Sequence, residues 1–295
     1  MRRKISTGRR VFVVFNYTLL TLLALCFVLP MLSLVSASLV SQAELQERGS
    51  LILIPRKLDI SAYKILLGEG SIVWNAYANT FFRVIVGTLI QMSVTCMLAY
   101  AMAKKDLPYR SILTIYILIP MFISGGLVPT YLLIRQLGLV DSLWVLVIPN
   151  AMSIYNMLLM RNFFMSIPVA LEESAMLDGA QPFRILWSII LPLSLPSSMT
   201  VGMFYAVGHW NEWFDAAIYI NTSSKLPMQS VMRNIVQQYS VGDLDSMTDE
   251  ALLNQIPQQT VQNASVVVAT LPILVAYPFV QKYFIRGIMV GSLKG

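Results

Sequence analysis

The sequence contains few charged residues for its length. Of its 295 residues only 12% are charged, whereas 56% are hydrophobic. A soluble domain carries about 25% charged and about 45–50% apolar residues. So few charges cannot solvate the surface of an ordinary cytosolic enzyme, and so much hydrophobicity excludes an intrinsically disordered chain. The composition therefore indicates a membrane protein, whose length is best counted in membrane spans.

Cysteine and histidine are also rare. Cys26 and Cys96 are the only cysteines, both in apolar segments, and His209 is the only histidine. This supports neither a disulfide framework nor a zinc site, and we expect no bound metal. The sequence also has no Gly-Lys pair, which the phosphate-cradling run Gly-x-x-x-x-Gly-Lys-Ser/Thr requires. We therefore expect no cofactor in this chain.

Long hydrophobic segments dominate the chain. An α-helical span needs about 20 mainly apolar residues, and a charge at its centre costs about 2.5–3.5 kcal/mol on the insertion scale. These segments predict an all-α membrane protein with six transmembrane helices. The predicted spans are residues 12–34, 78–103, 112–134, 143–164, 191–210 and 264–284.

The basic residues are concentrated on one side of these spans. If the N-terminus is cytoplasmic, the inner segments carry 13 of the 21 basic residues and four of the 15 acidic residues. Cytoplasmic loops are enriched in Lys and Arg, and the anionic lipids of the inner leaflet attract them. We therefore expect both termini to be cytoplasmic and attribute the net charge of +6 to topology, not to a nucleic-acid partner.

The spans divide the chain into a cytoplasmic N-terminus (1–11), a membrane domain (12–285) and a cytoplasmic C-terminal tail (286–295). Two predicted external loops, 41–75 and 221–263, are long and polar.

Three predicted spans contain helix-breaking residues. These are Pro120, Gly125, Gly126 and Pro129 in the third, Pro192 and Pro196 in the fifth, and Pro272 and Pro278 in the sixth. Lipid cannot satisfy the carbonyls that proline frees, so these spans should pack against other helices or line an aqueous cavity. Simple kinking is the alternative for each proline alone, but three interrupted spans together favour a transporter.

The predicted cytoplasmic loop 165–192 has the pattern of two short helices around a turn. Pro168 and Pro182 suit the first turn of a helix. Between them, Asp178-Gly179 indicates the turn, because glycine adopts positive φ at little steric cost.

The second of these helices has an apolar face, because Phe183, Leu186, Trp187 and Ile190 recur at helical spacing. At the membrane surface such a face could rest on lipid as an interfacial amphipathic helix. Alternatively, it could belong to a rigid projection that fits a groove on another protein.

The order of residues in the loop favours the projection. It reads Glu173-Ser174-Ala175, three residues, Gly179, nine residues, and then Ile189-Ile190-Leu191-Pro192. This order resembles the EAA loop of bacterial ABC-importer permeases at every spacing, with Ser174 in place of the usual alanine. The chain is thus similar to a type I ABC-importer permease.

Trp210-Asn211-Glu212 and the segment 286–295 resemble the carbohydrate-uptake class, in particular the second permease of maltose-type importers. Segments 122–131 and 257–263 resemble a branch that serves complex oligosaccharides.

The resemblance implies a multi-pass subunit of the bacterial cytoplasmic membrane that conducts a sugar and does not itself hydrolyse ATP. Its implied partners are a second homologous permease, an extracytoplasmic sugar-binding protein and two cytoplasmic ATPase subunits, which bind the ATP and Mg. The two permeases would alternate between outward-open and inward-open states as the ATPases close and reopen. Catalytic residues are not expected in this chain.

The resemblance also implies site residues. Those expected to couple to the ATPase are Glu172, Glu173, Ala175, Leu177, Asp178, Gly179, Ala180, Phe183, Trp187 and Pro192. Those of the tail expected to reach the ATPase dimer are Arg286, Gly291 and Lys294.

Polar and aromatic residues on or beside the spans are candidates for the substrate path. They are Gln91, Asn150, Ser153, Asn156, Trp210 and Asn211. For each one alone, hydrogen bonding between helices is the alternative role. We expect Arg83, near one end of the second span, to extend its charge to the membrane surface.

Two other functions are compatible with the composition. A membrane enzyme would need a set of carboxylates or a Ser/His/Asp arrangement, which the sequence around Asp178 and His209 does not provide. An ABC-importer permease for a peptide, an amino acid or a metal remains an alternative to a sugar permease.

Overall fold

A computed structural model describes residues 7–49, 51–240 and 258–292. These residues form helices joined by loops, and no β-strand occurs among them, in agreement with the predicted all-α class. The chain divides into two compact units, Met1–Ser71 with Met232–Leu271 and Ile72–Val231 with Pro272–Gly295.

The helices differ widely in length. In chain order they are α1 (Thr7–Ala37), α2 (Gln42–Arg48), α3 (Ser61–Leu67), α4 (Ile72–Ala103), α5 (Arg110–Phe122), α6 (Leu127–Gln136), α7 (Ile154–Phe164), α8 (Val169–Leu177), α9 (Pro182–Ile185), α10 (Leu191–Leu193), α11 (Leu195–Asn211), α12 (Phe214–Tyr219), α13 (Met228–Ser240) and α14 (Gln258–Ser292). Single 3₁₀ turns cover Leu143–Leu146 and Ser223–Lys225, and a π-helical segment covers Leu186–Ile190.

Three helical stretches are long and apolar enough to cross a membrane, namely Gly8–Ala37, Ile72–Ala103 and Gln259–Pro278. Three bent helix pairs also qualify: α5 with α6 at 108°, α7 with α8 at 76°, and Pro182–Leu193 with α11 at 91°. The described residues therefore supply three spans, or up to six if each bent pair is one span.

The first unit has its small core beyond the end of α1. Four apolar residues pack together there: Ala37, Val40, Leu45 and Ile52. The hydroxyl oxygens of Ser38 and Tyr63 lie 2.6 Å apart, which links this core to α3. The segment after α1 is thus folded, although it is polar.

The second unit is built on α4, which packs against α7 and α11. Its core contains residues from all three helices and from the 165–192 loop: Cys96, Ala99, Tyr100, Met157, Met160, Phe164, Ala175, Ile185, Leu186, Ile190, Val201 and Tyr205. Because the loop contributes four of these residues, it is anchored to the helices of its own unit.

Two predicted spans differ from the structure at their breaks. The predicted fourth span is not one helix, because it begins with a 3₁₀ turn and α7 starts only at Ile154. Pro149 cannot donate a helical hydrogen bond, and the Ser153 hydroxyl caps α7 by accepting from the Asn156 N–H at 3.4 Å.

The predicted interruption of the sixth span is also wrong, since α14 continues through Pro272 and Pro278. Each proline removes one helical hydrogen bond, a loss that membrane helices tolerate.

The third and fifth spans are interrupted, as predicted. The chain leaves helical geometry between α5 and α6, where Gly126 has φ +84°, a conformation that glycine adopts readily. In the fifth, the bend lies at Ser194, between Pro192 and Pro196.

Candidate functional site: a helical loop and a polar cavity

The loop 165–192 folds as the predicted helix–turn–helix. The turn after α8 contains Gly179 at φ +81°, and the Ala180 N–H donates to the Ala175 carbonyl at 2.9 Å. A Cβ added to Gly179 would meet no atom within 4 Å, so the backbone conformation and not the available space requires glycine. Pro182 occupies the first turn of α9, as predicted.

The predicted apolar face of the second helix is divided. Leu186 and Ile190 are buried in the core of the second unit, whereas Phe183 is 65% exposed and Trp187 is half-buried. An apolar stripe is about 100° wide, and the core buries Leu186 and Ile190, contacts part of Trp187 and leaves Phe183 exposed. The four residues therefore do not form one free surface.

The turn carries an exposed apolar surface, which we call the knob and define as Leu177 and Phe183. Leu177 is 90% exposed, and the Phe183 ring lies 6.0 Å from the Trp187 ring, centroid to centroid. The two residues flank the turn at Gly179. A contiguous exposed apolar patch would mark an interaction surface, and these two residues are the candidates for one at this turn.

The ten predicted coupling residues differ in exposure. Ala175 is buried and Glu172, Ala180 and Trp187 are half-buried. The exposed ones are Glu173, Leu177, Asp178, Gly179, Phe183 and Pro192.

The two adjacent glutamates of α8 point to different surroundings. Glu172 forms an ion pair with the Lys104 ammonium, and its Oε2 accepts a hydrogen bond from the Tyr100 hydroxyl at 3.2 Å. The same ammonium lies 4.3 Å from the centre of the Tyr100 ring, a cation–π distance. Glu173 is exposed. Glu172 thus ties the loop to the end of α4, while Glu173 faces away from the core.

A polar cavity of about 440 Å³ lies between α4, the chain before α7 and α11. Four of the six residues predicted for the substrate path line it together, namely Gln91, Asn150, Ser153 and Asn156. The other two lie elsewhere: Trp210 lines a separate apolar groove, and Asn211 is exposed at the end of α11.

Hydrogen bonds fix the walls of this cavity. The Gln91 Nε2 donates to the Asn150 carbonyl at 2.5 Å, and the Asn150 Nδ2 donates to Asp215 Oδ2 at 2.9 Å. The Tyr205 hydroxyl lies 2.7 Å from Thr95 Oγ1 and accepts from the Ser153 N–H at 3.1 Å. These hydrogen bonds connect α4, α11 and the chain before α7, and they restrict the rotation of the side chains that form the cavity wall.

Arg83 is buried, so the prediction that it extends to the membrane surface is wrong. Its exposure is 1%, and its guanidinium donates to the Leu146 carbonyl at 3.2 Å and the Glu212 carbonyl at 2.8 Å. A third N–H reaches Asp215 Oδ2 at 3.4 Å. A buried charge must be paired and hydrogen-bonded, and Asp215 lies far along the chain, so the sequence of α4 alone did not reveal its partner.

Sequence reasoning also missed Tyr205, His209 and Glu212, which line the same cavity. Tyr205, His209 and Glu212 recur at intervals of four and three residues, the spacing of one helix face. That periodicity could have identified the cavity wall.

The predicted tail residues are only partly described. Arg286 and Gly291 lie in α14, whose backbone is helical to Ser292. Lys294 lies outside the described residues.

The chain matches the family model described as "Binding-protein-dependent transport system inner membrane component" over residues 85–290. The chain belongs to this family. The match includes α7, the loop 165–192, α11 and every residue of the cavity except Arg83. The protein is therefore the permease subunit of an ABC importer and an integral membrane protein, and a separate subunit hydrolyses the ATP.

Similar proteins cover nearly the whole permease. It is 37% identical to the polygalacturonan/rhamnogalacturonan transport system permease protein YtcP of Bacillus subtilis, over 97% of this chain and 99% of that protein. Among solved structures, it resembles a chain of a bacterial ABC transporter that imports the acidic polysaccharide alginate. The TM-score is 0.84 and the identity 32%, covering 95% of this chain and 99% of that one.

A second solved structure is an alginate ABC transporter in complex with an alginate pentasaccharide-bound periplasmic protein. Its chain aligns with a TM-score of 0.60 at 16% identity, over 92% of this permease and 93% of that chain. This likeness shows a common type I permease fold.

Proposed function

We propose that this permease imports oligosaccharides. The observation that carries the proposal is the likeness along nearly the full length to a permease for polygalacturonan and rhamnogalacturonan. The cavity supports it, because amide, hydroxyl and aromatic groups line the cavity together. Such groups bind the hydroxyls and apolar faces of a sugar. The predicted path residues Gln91, Asn150, Ser153 and Asn156 would contact the sugar. Trp210, in the separate apolar groove, and Asn211, at the exposed end of α11, would lie outside this contact.

The proposed arrangement has six spans in the bacterial cytoplasmic membrane, with both termini in the cytoplasm. The helical stretches and bent pairs are compatible with six spans. The distribution of basic residues supports the orientation. The loop 165–192 would then lie on the cytoplasmic side.

In the complete importer, a second permease would form the other half of the path, two ATPases would bind ATP and Mg, and an extracytoplasmic binding protein would deliver the sugar. The knob would enter a cleft on one ATPase, and Glu173 and Asp178 would meet basic groups at its rim. Burial of exposed apolar and aromatic anchors supplies most of the energy of such contacts. The residues Arg286, Gly291 and Lys294 of the tail would reach the ATPase dimer.

Purification of the assembled importer in detergent, followed by ATPase assays with candidate binding proteins, tests the proposal. Binding protein loaded with one class of oligosaccharide should stimulate ATP hydrolysis several-fold, whereas the unloaded protein should not. Stimulation by a peptide- or amino-acid-loaded binding protein, with none by any oligosaccharide, would overturn it.

A further inference from the structure

Residues 51–60, which we call the apolar loop, are an exception within the polar segment that follows α1. Ile52 is buried in the small core of the first unit. The other large apolar side chains of the loop are between 48% and 80% exposed, namely Leu51, Leu53, Ile54, Leu58 and Ile60. Single exposed apolar side chains are ordinary, but five within ten residues favour surroundings that are less polar than water.

Hydrogen bonds hold the apolar loop at the end of the first membrane-crossing helix, α1. The Ser36 hydroxyl donates to the Leu53 carbonyl at 2.8 Å, and the Asp59 N–H donates to the Leu39 carbonyl at 2.8 Å. Ser36 lies two residues beyond the predicted span 12–34, which is about 3 Å along a helix that rises 1.5 Å per residue. The loop therefore lies close to the membrane boundary along α1.

The irregular backbone of the apolar loop restricts its depth in the membrane. No helix covers residues 51–60, which the structure describes throughout. Irregular backbone exposed to lipid does not occur within the hydrocarbon core, because lipid cannot satisfy its N–H and C=O groups. At the interface, water reaches the backbone while apolar side chains extend toward the acyl chains. The loop therefore fits the interface and not the hydrocarbon core.

The charged and aromatic residues near the loop fit the same position. Arg56 and Lys57 are exposed, and the Arg56 guanidinium lies 3.1 Å from the Glu47 carboxylate. A lysine beside apolar side chains extends its ammonium to the headgroups while its stem lies along the apolar surface. The segment ends where the next membrane-crossing helix, α4, begins, and Trp74 in the first turn of α4 is 56% exposed. Tryptophan is enriched at membrane interfaces, so lipid is the partner that these features favour.

We propose that the apolar loop is a membrane-surface anchor, in which Leu51, Ile54 and Leu58 lie at the boundary between lipid headgroups and acyl chains. Lys57 lies at the level of the headgroups. The anchor holds the end of α1 at a fixed depth, since Ser36 and Leu39 are hydrogen-bonded to the loop. The inference goes beyond the proposed function, because it holds for any transported solute.

Depth-dependent fluorescence quenching of the complete importer in lipid vesicles tests the anchor. With Cys26 and Cys96 replaced by alanine, an environment-sensitive fluorophore is attached at position 54 in Ile54→Cys and, independently, at position 58 in Leu58→Cys. The boundary lies about 15 Å from the bilayer midplane, half the thickness of the hydrocarbon core. Lipids spin-labelled near the headgroup should therefore quench both positions about twofold more strongly, or better, than lipids spin-labelled at the chain end. Iodide in the aqueous phase should quench both positions weakly.

Gln46→Cys is the matched control, because Gln46 is an exposed but polar residue of α2 in the same unit. Iodide should quench a fluorophore at position 46, and neither lipid should. Strong iodide quenching at positions 54 and 58, or lipid quenching at position 46 as strong as theirs, would overturn the anchor. Protection of positions 54 and 58 from iodide and from both lipids would overturn it in favour of a protein partner, and equal quenching by the two lipids would contradict the interfacial depth.

Discussion

The two ends of α4 are built differently. At its C-terminal end, the polar side-chain contacts of α4 with the 165–192 loop, among the described residues, are those of Tyr100 and Lys104 with Glu172, and the loop presents an exposed apolar knob. About 30 Å away, at 1.5 Å per residue, the opposite end is cross-linked by many hydrogen bonds. Asn79 donates to the carbonyls of Ser224 and Leu226, and Thr80 accepts from the Met228 N–H.

Asp141, a non-glycine residue at φ +58°, adds further hydrogen bonds at the end of α4 that contains Asn79 and Thr80. Its carboxylate accepts from the N–H groups of Asn221 and Thr222 at 3.0 and 2.9 Å and from the Lys225 ammonium at 2.9 Å. These contacts hold two loops together within the chain. The comparison shows that hydrogen bonds within the chain hold the elements together at one end, whereas the loop end leaves Leu177 and Phe183 exposed, as the proposed contact with an ATPase requires.

The largest expected effect is that of Gly179→Val. Valine at positive φ is strongly strained, so the turn must rearrange and move the knob. We expect sugar uptake to fall on the order of 100-fold while the protein remains in the membrane, as measured by radiolabelled uptake and immunoblotting.

Gly138→Val is the matched control, because Gly138 also has positive φ, at +68°, but lies outside the loop. It should reduce abundance without reducing transport per molecule. If sugar transport per molecule falls equally in Gly179→Val and Gly138→Val, the turn of the 165–192 loop has no special role in transport.

The second effect concerns the buried arginine. Arg83→Met would remove the cation that is paired with the Asp215 carboxylate and the donor to the Leu146 and Glu212 carbonyls. Breaking a buried ion pair typically costs about 3–5 kcal/mol, so the thermal midpoint of the purified complex should fall by several degrees. The double variant Arg83→Met with Asp215→Asn should recover part of this fall in thermal midpoint. An unchanged midpoint in Arg83→Met would contradict the claim that the buried contacts of Arg83 stabilise this end of α4.

The third effect is on assembly. Phe183→Ser removes the aromatic part of the knob, and loss of such an anchor costs about 2 kcal/mol or roughly 30-fold in affinity. Retention of the ATPase during co-purification should fall accordingly, with little change in thermal stability because Phe183 is exposed. Tyr109→Ser, which alters a 78% exposed aromatic residue outside the loop, should retain the ATPase fully.

The smallest effect separates the two glutamates of α8. Glu172→Gln weakens the tie to Lys104, so we expect about threefold less sugar per ATP with normal ATPase retention. Glu173→Gln should instead lower ATPase retention. The charge exchange Glu172→Lys with Lys104→Glu should restore the amount of sugar transported per ATP. If the exchange fails and Glu172→Gln also loses the ATPase during purification, Glu172 contacts the partner and not Lys104.

The sequence predicted the features that depend on local patterns. Gly179 and Pro182 identified the turn and the second helix of the loop, because positive φ and a first-turn proline are local requirements. Gln91, Asn150, Ser153 and Asn156 were selected because polar residues are conspicuous among apolar spans, and their contact with the substrate stays a prediction. Their assembly into one cavity needed the structure, as they lie in separate segments.

The features that depend on distant partners were missed. Arg83 was expected at the membrane surface because its acceptors, at Leu146, Glu212 and Asp215, are far away in sequence. The division of the loop's apolar face also followed from packing, since only the core determines which half of a stripe is covered. The helix α14 continues through Pro272 and Pro278, although proline usually signals a break.

Site-specific cross-linking from the knob tests the central claim most directly. In a complete importer with Cys26 and Cys96 replaced by alanine, Leu177→Cys should cross-link to the ATPase subunit and resist membrane-impermeant thiol reagents added outside intact cells. Thr222→Cys, at the opposite end, should form no such cross-link. Labelling of position 177 from outside, or cross-links only to lipid in the assembled complex, would contradict the account.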